Sequence, residues 1–155
     1  MKSLTIERSI AAPLEQVWQV VSNLEDYALY APNINTSEIL SGNGVGMIRQ
    51  CSSKEGCWQE VCTQWKEYAS YSFDVQTQSK DYPYPFKTLQ AQWTVESNDS
   101  NTTTIRMNFE VEFKNKLFGW MIFPIMKIKY SSICEKLLYN WQKAILQNHL
   151  LEVKV

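Results

Sequence analysis

The side chains able to do chemistry in this chain are few, and their spacing limits what they could do. Acid–base or covalent catalysis needs a nucleophile or a group titrating near neutral pH, oriented by a partner. His149 is the only histidine in 155 residues. It falls at the end of the last amphipathic segment, where a cation complements the helix dipole, so a structural role is expected and no Ser/His/Asp set can be assembled. Four cysteines, Cys51, Cys57, Cys62 and Cys134, show no Cys-x-x-Cys spacing and no accompanying histidines, which argues against zinc. Gly42-Asn43-Gly44-Val45-Gly46 is glycine-rich. No helix follows to present its N–H groups to a phosphate, so the stretch reads as a hairpin turn.

What remains is Arg49, Glu60 and the tyrosines. Arg49 and Glu60 fall in neighbouring strands. Facing inward, they would anchor a ligand's polar end or polarise a carbonyl. Facing outward, they would form an exposed cross-strand ion pair contributing at most ~1 kcal/mol. Met47 and Ile48 are both apolar, so the parity of that strand leaves both readings open. No catalytic residue is assigned, and no metal or cofactor is expected.

The elements that position these residues follow from hydrophobic periodicity. Leu4, Ile6 and Ile10 alternate with Thr5, Glu7 and Ser9, a first strand with one apolar face. Arg8 shares that face, either as a strand-end side chain reaching water or as a charge aimed into a pocket. Pro13 suits the first position of a helix and Glu15 its positive end. Leu14, Val17, Trp18, Val20, Val21 and Leu24 form its buried stripe. Tyr27-Ala28-Leu29-Tyr30-Ala31 reads as a second short helix stopped by Pro32.

From Asn35 to Phe113 the period falls to two, with strands expected at 36–40, 46–52, 57–65, 68–78, 89–95 and 105–113. Their one-sided alternation indicates an antiparallel sheet with one wet face. The stretch 118–150 opens on an apolar run and settles into helical spacing. Met126, Tyr130, Ile133, Cys134, Leu137, Leu138, Trp141 and Ile145 recur at steps of three and four. The fold class is therefore α+β: a curled antiparallel sheet wrapped around a long C-terminal helix, with two short helices after the first strand, in a single domain over residues 1–155.

Hydrophobic residues make up 45% of the chain and charged ones 20%, ordinary for a soluble globular protein, but aromatics reach 13% and must either fill a core or line a cavity. A net charge of −1 gives no reason to expect nucleic acid. No secretory segment begins at Met1-Lys2-Ser3, so a cytoplasmic protein with reduced thiols is expected. The longest apolar run is about half the roughly 20 residues that span a bilayer. Lys114, Lys116, Lys127 and Lys129 flank Phe118, Trp120 and Phe123, which raises peripheral membrane contact. Packing of those aromatics against the sheet is the favoured expectation. Monomer and homodimer both remain open.

Several stretches carry a family resemblance. They are Ile10-Ala11-Ala12-Pro13-Leu14-Glu15-Gln16-Val17-Trp18 through Asn23-Leu24-Glu25-Asp26-Tyr27, the Gly44-Val45-Gly46 turn, Trp58-Gln59-Glu60-Val61 and Trp93-Thr94-Val95-Glu96. In order and spacing the chain resembles the helix-grip, START-like superfamily (SRPBCC, Bet v 1-like), and within it the polyketide cyclase/dehydrase and lipid-transport group. The resemblance implies a cavity between sheet and C-terminal helix that holds an apolar or amphipathic small molecule. Members include lipid carriers, plant hormone and flavonoid binders, coenzyme Q-binding proteins and aromatase/cyclases.

Tyr71, Phe73, Leu89, Trp93, Met107 and Phe109 are expected on inward strand faces, opposite Cys134, Leu137, Leu138 and Trp141. Tyr84, in the Tyr82-Pro83-Tyr84-Pro85-Phe86 loop, is expected either as a lip over the mouth or as part of a rigid connection. These eleven are the expected ligand-binding residues. With large side chains on both walls, the cavity should sit at the low end of ~300–1,000 Å³. The leading expectation is binding, transport or sequestration of a hydrophobic small molecule or lipid. The alternatives are a cyclase/dehydrase using Arg49, Glu60 and tyrosine hydroxyls, and a partner- or membrane-surface module.

Overall fold

The computed structural model describes residues 1–154. Strand β1 (Lys2–Ile10) is followed by helices α1 (Leu14–Val21) and α2 (Tyr27–Tyr30). Six strands come next: β2 (Thr36–Ser41), β3 (Ile48–Ser53), β4 (Gly56–Lys66), β5 (Ser70–Val75), β6 (Phe86–Asp99) and β7 (Thr102–Phe113). Helix α3 (Lys116–Val153) ends the series. The strands form one sheet in the order β1-β7-β6-β5-β4-β3-β2, with every neighbouring pair antiparallel. Each step from β2 to β7 is a hairpin. Only β1 crosses over, laying the chain's first strand beside its last.

Local sequence accounts for the boundaries. Pro13 is the N-cap of α1, with an extended backbone, rather than its first helical residue. Gly42, Gly44 and Gly46 all take left-handed φ in the turn between β2 and β3, the conformation that favours glycine. The fourth strand after α2 is shorter than expected, because Tyr68 sits at φ 58 in the turn from β4 to β5 and the strand ends at Val75, one last bond running from the Gln76 N–H to the Gln59 carbonyl. Strand β6 starts earlier, at Phe86, which pairs with Phe113 of β7.

Helix α3 takes in the whole apolar run that precedes the periodic stretch. Its 38 residues extend about 57 Å at 1.5 Å per residue. The Asn115 side chain caps it by accepting a hydrogen bond from the Phe118 N–H at 3.0 Å. Pro124 lies inside it, removing the bond that an N–H there would give to the Trp120 carbonyl, at a cost of about 3 kcal/mol. Gly119 is the buried residue of the first turn, and a Cβ there would lie 2.5–2.7 Å from Phe113 side-chain atoms. Glycine is what lets α3 settle directly on the end of β7.

Two apolar clusters fill the space between sheet and helices. The larger holds α1, the C-terminal part of α3, and Tyr71, Phe73, Trp93 and Met107 from the sheet. The smaller holds Cys51, Trp58, Val75, Tyr82, Phe86, Val111 and Phe113, closed by Ile122, Phe123 and Met126 of α3. Arg8 points into neither. Its guanidinium bonds Gln142 Oε1 at 2.9 Å and Glu135 Oε2 at 3.1 Å, tying the end of β1 to the outside of α3.

Candidate functional site

The turn at Gly42–Gly46 decides the parity that the sequence leaves open. Beyond it Met47, Arg49, Cys51 and Ser53 are buried, while Ile48, Gln50 and Ser52 are only half-buried. Arg49 is therefore on the inner face, and its cross-strand partner is Glu60 on β4. Both are buried, at 1% and 7% exposure, so the exposed-pair reading does not hold.

Arg49 donates to Glu60 Oε2 from Nε at 3.0 Å and also from Nη2. Trp58, two residues along the same face, donates its Nε1 to Glu60 Oε1 at 2.9 Å. Both carboxylate oxygens are thus engaged. The guanidinium lies against the rings of Phe73, Tyr27 and Trp93, its Cζ 4.6, 4.9 and 5.9 Å from their centroids. Burial works most strongly against the guanidinium's charge, but the facing Glu60 carboxylate, its hydrogen bond, and the neighbouring Cys51 and Tyr27 together more than offset it and keep Arg49 charged. Burial also pushes the neighbouring Cys51 thiol up to about 12, with the Glu60 carboxylate adding to the shift.

The pair forms the polar end of a mostly apolar cavity of about 110 Å³. The cavity is lined by residues of both apolar clusters, so it lies where they meet. Of the expected ligand-binding residues, Leu89, Trp93, Phe109, Cys134, Leu137 and Tyr84 line it. Tyr71, Phe73, Met107, Leu138 and Trp141, also expected to bind ligand, are not among its lining residues.

Those five are locked into the larger cluster. Tyr71 stacks between Trp65 and Trp93, at 5.4 and 5.1 Å, and its hydroxyl donates to the Val21 carbonyl at 2.7 Å. Trp141 meets Tyr27 edge-on at 5.8 Å. Met107 and Leu138 are fully buried in the same cluster. Aromatic interlocking makes this half of the interior solid, which is also why the cavity falls below the expected 300 Å³.

Three residues that line the cavity lie outside the eleven expected to bind ligand: Trp58, Cys51 and Tyr82, the last in the loop expected as a lip or a rigid connection. A signal was there for the first. Trp58, Glu60 and Cys62 share one strand face, and two apolar neighbours at steps of two would have turned Glu60 inward. For Tyr82 the signal is the loop's alternation of aromatics and prolines, and its burial comes from that loop folding back: its ring meets Trp58 edge-on at 6.1 Å.

Among the described residues, three buried donors around this cavity have no hydrogen-bond acceptor: Arg49 Nη1, Trp93 Nε1 and the Tyr82 hydroxyl. Outside it runs a groove of about 550 Å³ between the Tyr84-Pro85-Phe86 loop, the Lys54-Glu55 turn and the first half of α3. Asn33, Tyr84, Phe86, Met126, Tyr130 and Ile133 line both spaces. They form the partition between cavity and groove.

Known proteins place this architecture. The fold matches that of TTHA0849 from Thermus thermophilus with a TM-score of 0.75 at 18% identity, covering 95% of this chain and 99% of that one. Norcoclaurine synthase from Thalictrum flavum, solved in complex with dopamine and hydroxybenzaldehyde, matches at 0.73 and 16%, over 94% of this chain and 87% of that one. The Zhui aromatase/cyclase from Streptomyces sp. R1128 matches at 0.71 and 12%, over 98% and 95%. No curated protein sequence matches the chain. The model of one family, polyketide cyclase / dehydrase and lipid transport, matches residues 10–129, and the chain belongs to that family.

Proposed function

We propose that this protein reversibly binds a small hydrophobic molecule that carries an acceptor oxygen, with the oxygen at Arg49 and the apolar part directed toward the outer groove. One observation carries the reading: three of the residues that line this apolar cavity hold buried donors without an acceptor, Arg49 Nη1, Trp93 Nε1 and the Tyr82 hydroxyl. A buried donor without an acceptor costs about 1–3 kcal/mol, so an oxygen placed there recovers energy that a hydrocarbon cannot. The cavity alone is smaller than the roughly 150 Å³ void that accommodates benzene. A longer ligand therefore has to displace the partition and lie partly in the groove. Tyr84, Phe86 and Met126 turn about side-chain bonds, so the opening needs no movement of the sheet.

Catalysis of the cyclase or dehydrase kind is the competing reading, and the carboxylate weighs against it. Glu60 is held as the counter-ion of Arg49 through Oε2 and is bonded by Trp58 at Oε1, and a carboxylate stabilised in its charged form by a buried cation is a weak base.

The test is calorimetric titration with octanoate and with octylammonium, equal in chain length and opposite in head-group chemistry. Octanoate should bind saturably and octylammonium should not, because an ammonium group brings no acceptor for the unpaired donors and adds a second cation beside Arg49. Equal binding of the two, or binding of neither, overturns the reading.

A further inference from the structure

The first three and a half turns of α3 present an apolar face to solvent. Leu117, Met121, Ile125 and Ile128 follow one another at helical steps of four, four and three, and all four are exposed, as is Trp120 beside them. Trp120 is 69% and Ile128 74% exposed. The expectation that the aromatics of this run pack on the sheet is corrected: Phe123 is half-buried, but Phe118 and Trp120 are exposed. With Gly119 seated on Phe113, the residues on either side of it are turned outward.

Charge surrounds this stripe with one sign. Lys114 precedes it, Lys116 and Lys127 fall along one flank by helical angle, and Lys129 falls along the other. Lys2 adds a further cation on the first flank, 5.7 Å from the Phe123 ring centroid. No Asp or Glu occurs from Lys114 to Cys134. One acid, Glu55, lines the groove beside Lys129, and it is 3.9 Å from Lys54. Beyond Ser131 the outer face becomes polar, with Glu135 and Lys136.

We propose that this face docks on an anionic lipid surface, with the tryptophan and aliphatic side chains in the interfacial layer and the lysines against the head groups. Charge selects this occupant over a second copy of the chain. Two such faces packed together would bring eight lysines from the 114–129 stretch against one another, with no acid in either stretch. The helix does not cross the bilayer: no helix of the described residues is long and apolar enough. Phe118 and Ile125 also line the outer groove, so docking sets the groove beside the membrane. Uptake of a ligand from that membrane rests on the binding reading above. Docking itself does not.

The experiment is cosedimentation of the full chain with large vesicles of phosphatidylserine and phosphatidylcholine in equal parts, and with vesicles of phosphatidylcholine alone. The protein should sediment with the first, release as salt is raised, and stay in solution with the second. Trp120→Glu combined with Ile128→Glu should abolish sedimentation and leave the thermal midpoint and octanoate titration unchanged, since both side chains are exposed and neither lines cavity or groove. Lys114→Gln with Lys116→Gln should weaken binding roughly fivefold per charge. Failure to sediment with the anionic vesicles, or sedimentation of both variants equal to that of the unaltered chain, overturns the proposal. So does a concentration-dependent dimer dissolved by the glutamate variant, which would make a second copy the occupant. Sedimentation without octanoate binding keeps the docking face and removes the ligand reading.

Discussion

Arg49 and Glu60 are a buried pair with a specific liability: each is tolerable only while the other is present. Arg49→Met should leave the Glu60 carboxylate buried without its counter-ion and destabilise the protein by about 3–5 kcal/mol. Arg49→Met with Glu60→Gln should recover more than half of that loss, because glutamine keeps an oxygen for the Trp58 Nε1–H. Urea midpoints of the three proteins check this, and a double variant no more stable than the single would show that the charge is not what the site is built around. The thiols give a second residue-scale outcome. Burial pushes Cys51 and Cys134 from an ordinary 9.0 up to about 12. Above pH 9 the unfolded chain releases these protons while the folded chain keeps them, so stability should be intact below about pH 9 and fall from there toward about pH 12. Denaturant titrations at about pH 8 and about pH 10.5 should show the loss, and Cys51→Ala with Cys134→Ala should reduce it, the buried Tyr27, Tyr71, Tyr82 and Tyr130 hydroxyls, raised by the same cause, supplying the remainder. At this scale the sequence was only partly legible. That Arg49 and Glu60 pair followed from strand order, but their face depended on three glycines holding left-handed φ in the preceding turn, which no count of apolar residues reveals.

Helix α3 shows why an element can be legible while its surroundings are not. Steps of three and four located its inner face correctly at Cys134, Leu137, Leu138, Trp141 and Ile145, all buried, because one long stripe of apolar residues has only one sheet to cover. Its first turns were harder, since there both faces are apolar and periodicity loses its contrast. Gly119 resolves the ambiguity sterically, as the position where the helix backbone comes against the Phe113 ring. Gly119→Ala should therefore destabilise by about 1–3 kcal/mol through overpacking, exceeding the roughly 1 kcal/mol by which alanine is the better helix former. Thermal unfolding measures the sign. A stabilised alanine variant would mean that α3 stands off from β7, and the outward placement of Trp120 would lose its cause.

On the scale of the whole molecule, strand alternation and helix periodicity specified a curled antiparallel sheet on a long helix, and the fold follows that pattern. They could not divide the interior into a solid and a hollow half. That division depends on which inward rings stack, and Trp65, Tyr71 and Trp93 do so in one column, leaving the space by Arg49 and Leu89 unfilled. Two substitutions separate the halves. Ala91 lines the cavity from the middle of β6 and is paired with Phe109 and Phe73. Ala91→Leu extends three carbons into the void, gaining up to about 2 kcal/mol of burial at ~0.8 kcal/mol per methylene, and should lower octanoate affinity by more than about tenfold, or 1.4 kcal/mol. Met107, fully buried in the larger cluster, has no such space beside it. Met107→Trp should cost about 1–3 kcal/mol through overpacking while leaving octanoate affinity close to wild type in the folded fraction. Calorimetry and urea midpoints on both variants read the two effects separately. If Met107→Trp blocks octanoate and Ala91→Leu does not, the ligand lies in the half occupied by Tyr71 and Trp141, and the polar end at Arg49 is not where its oxygen sits.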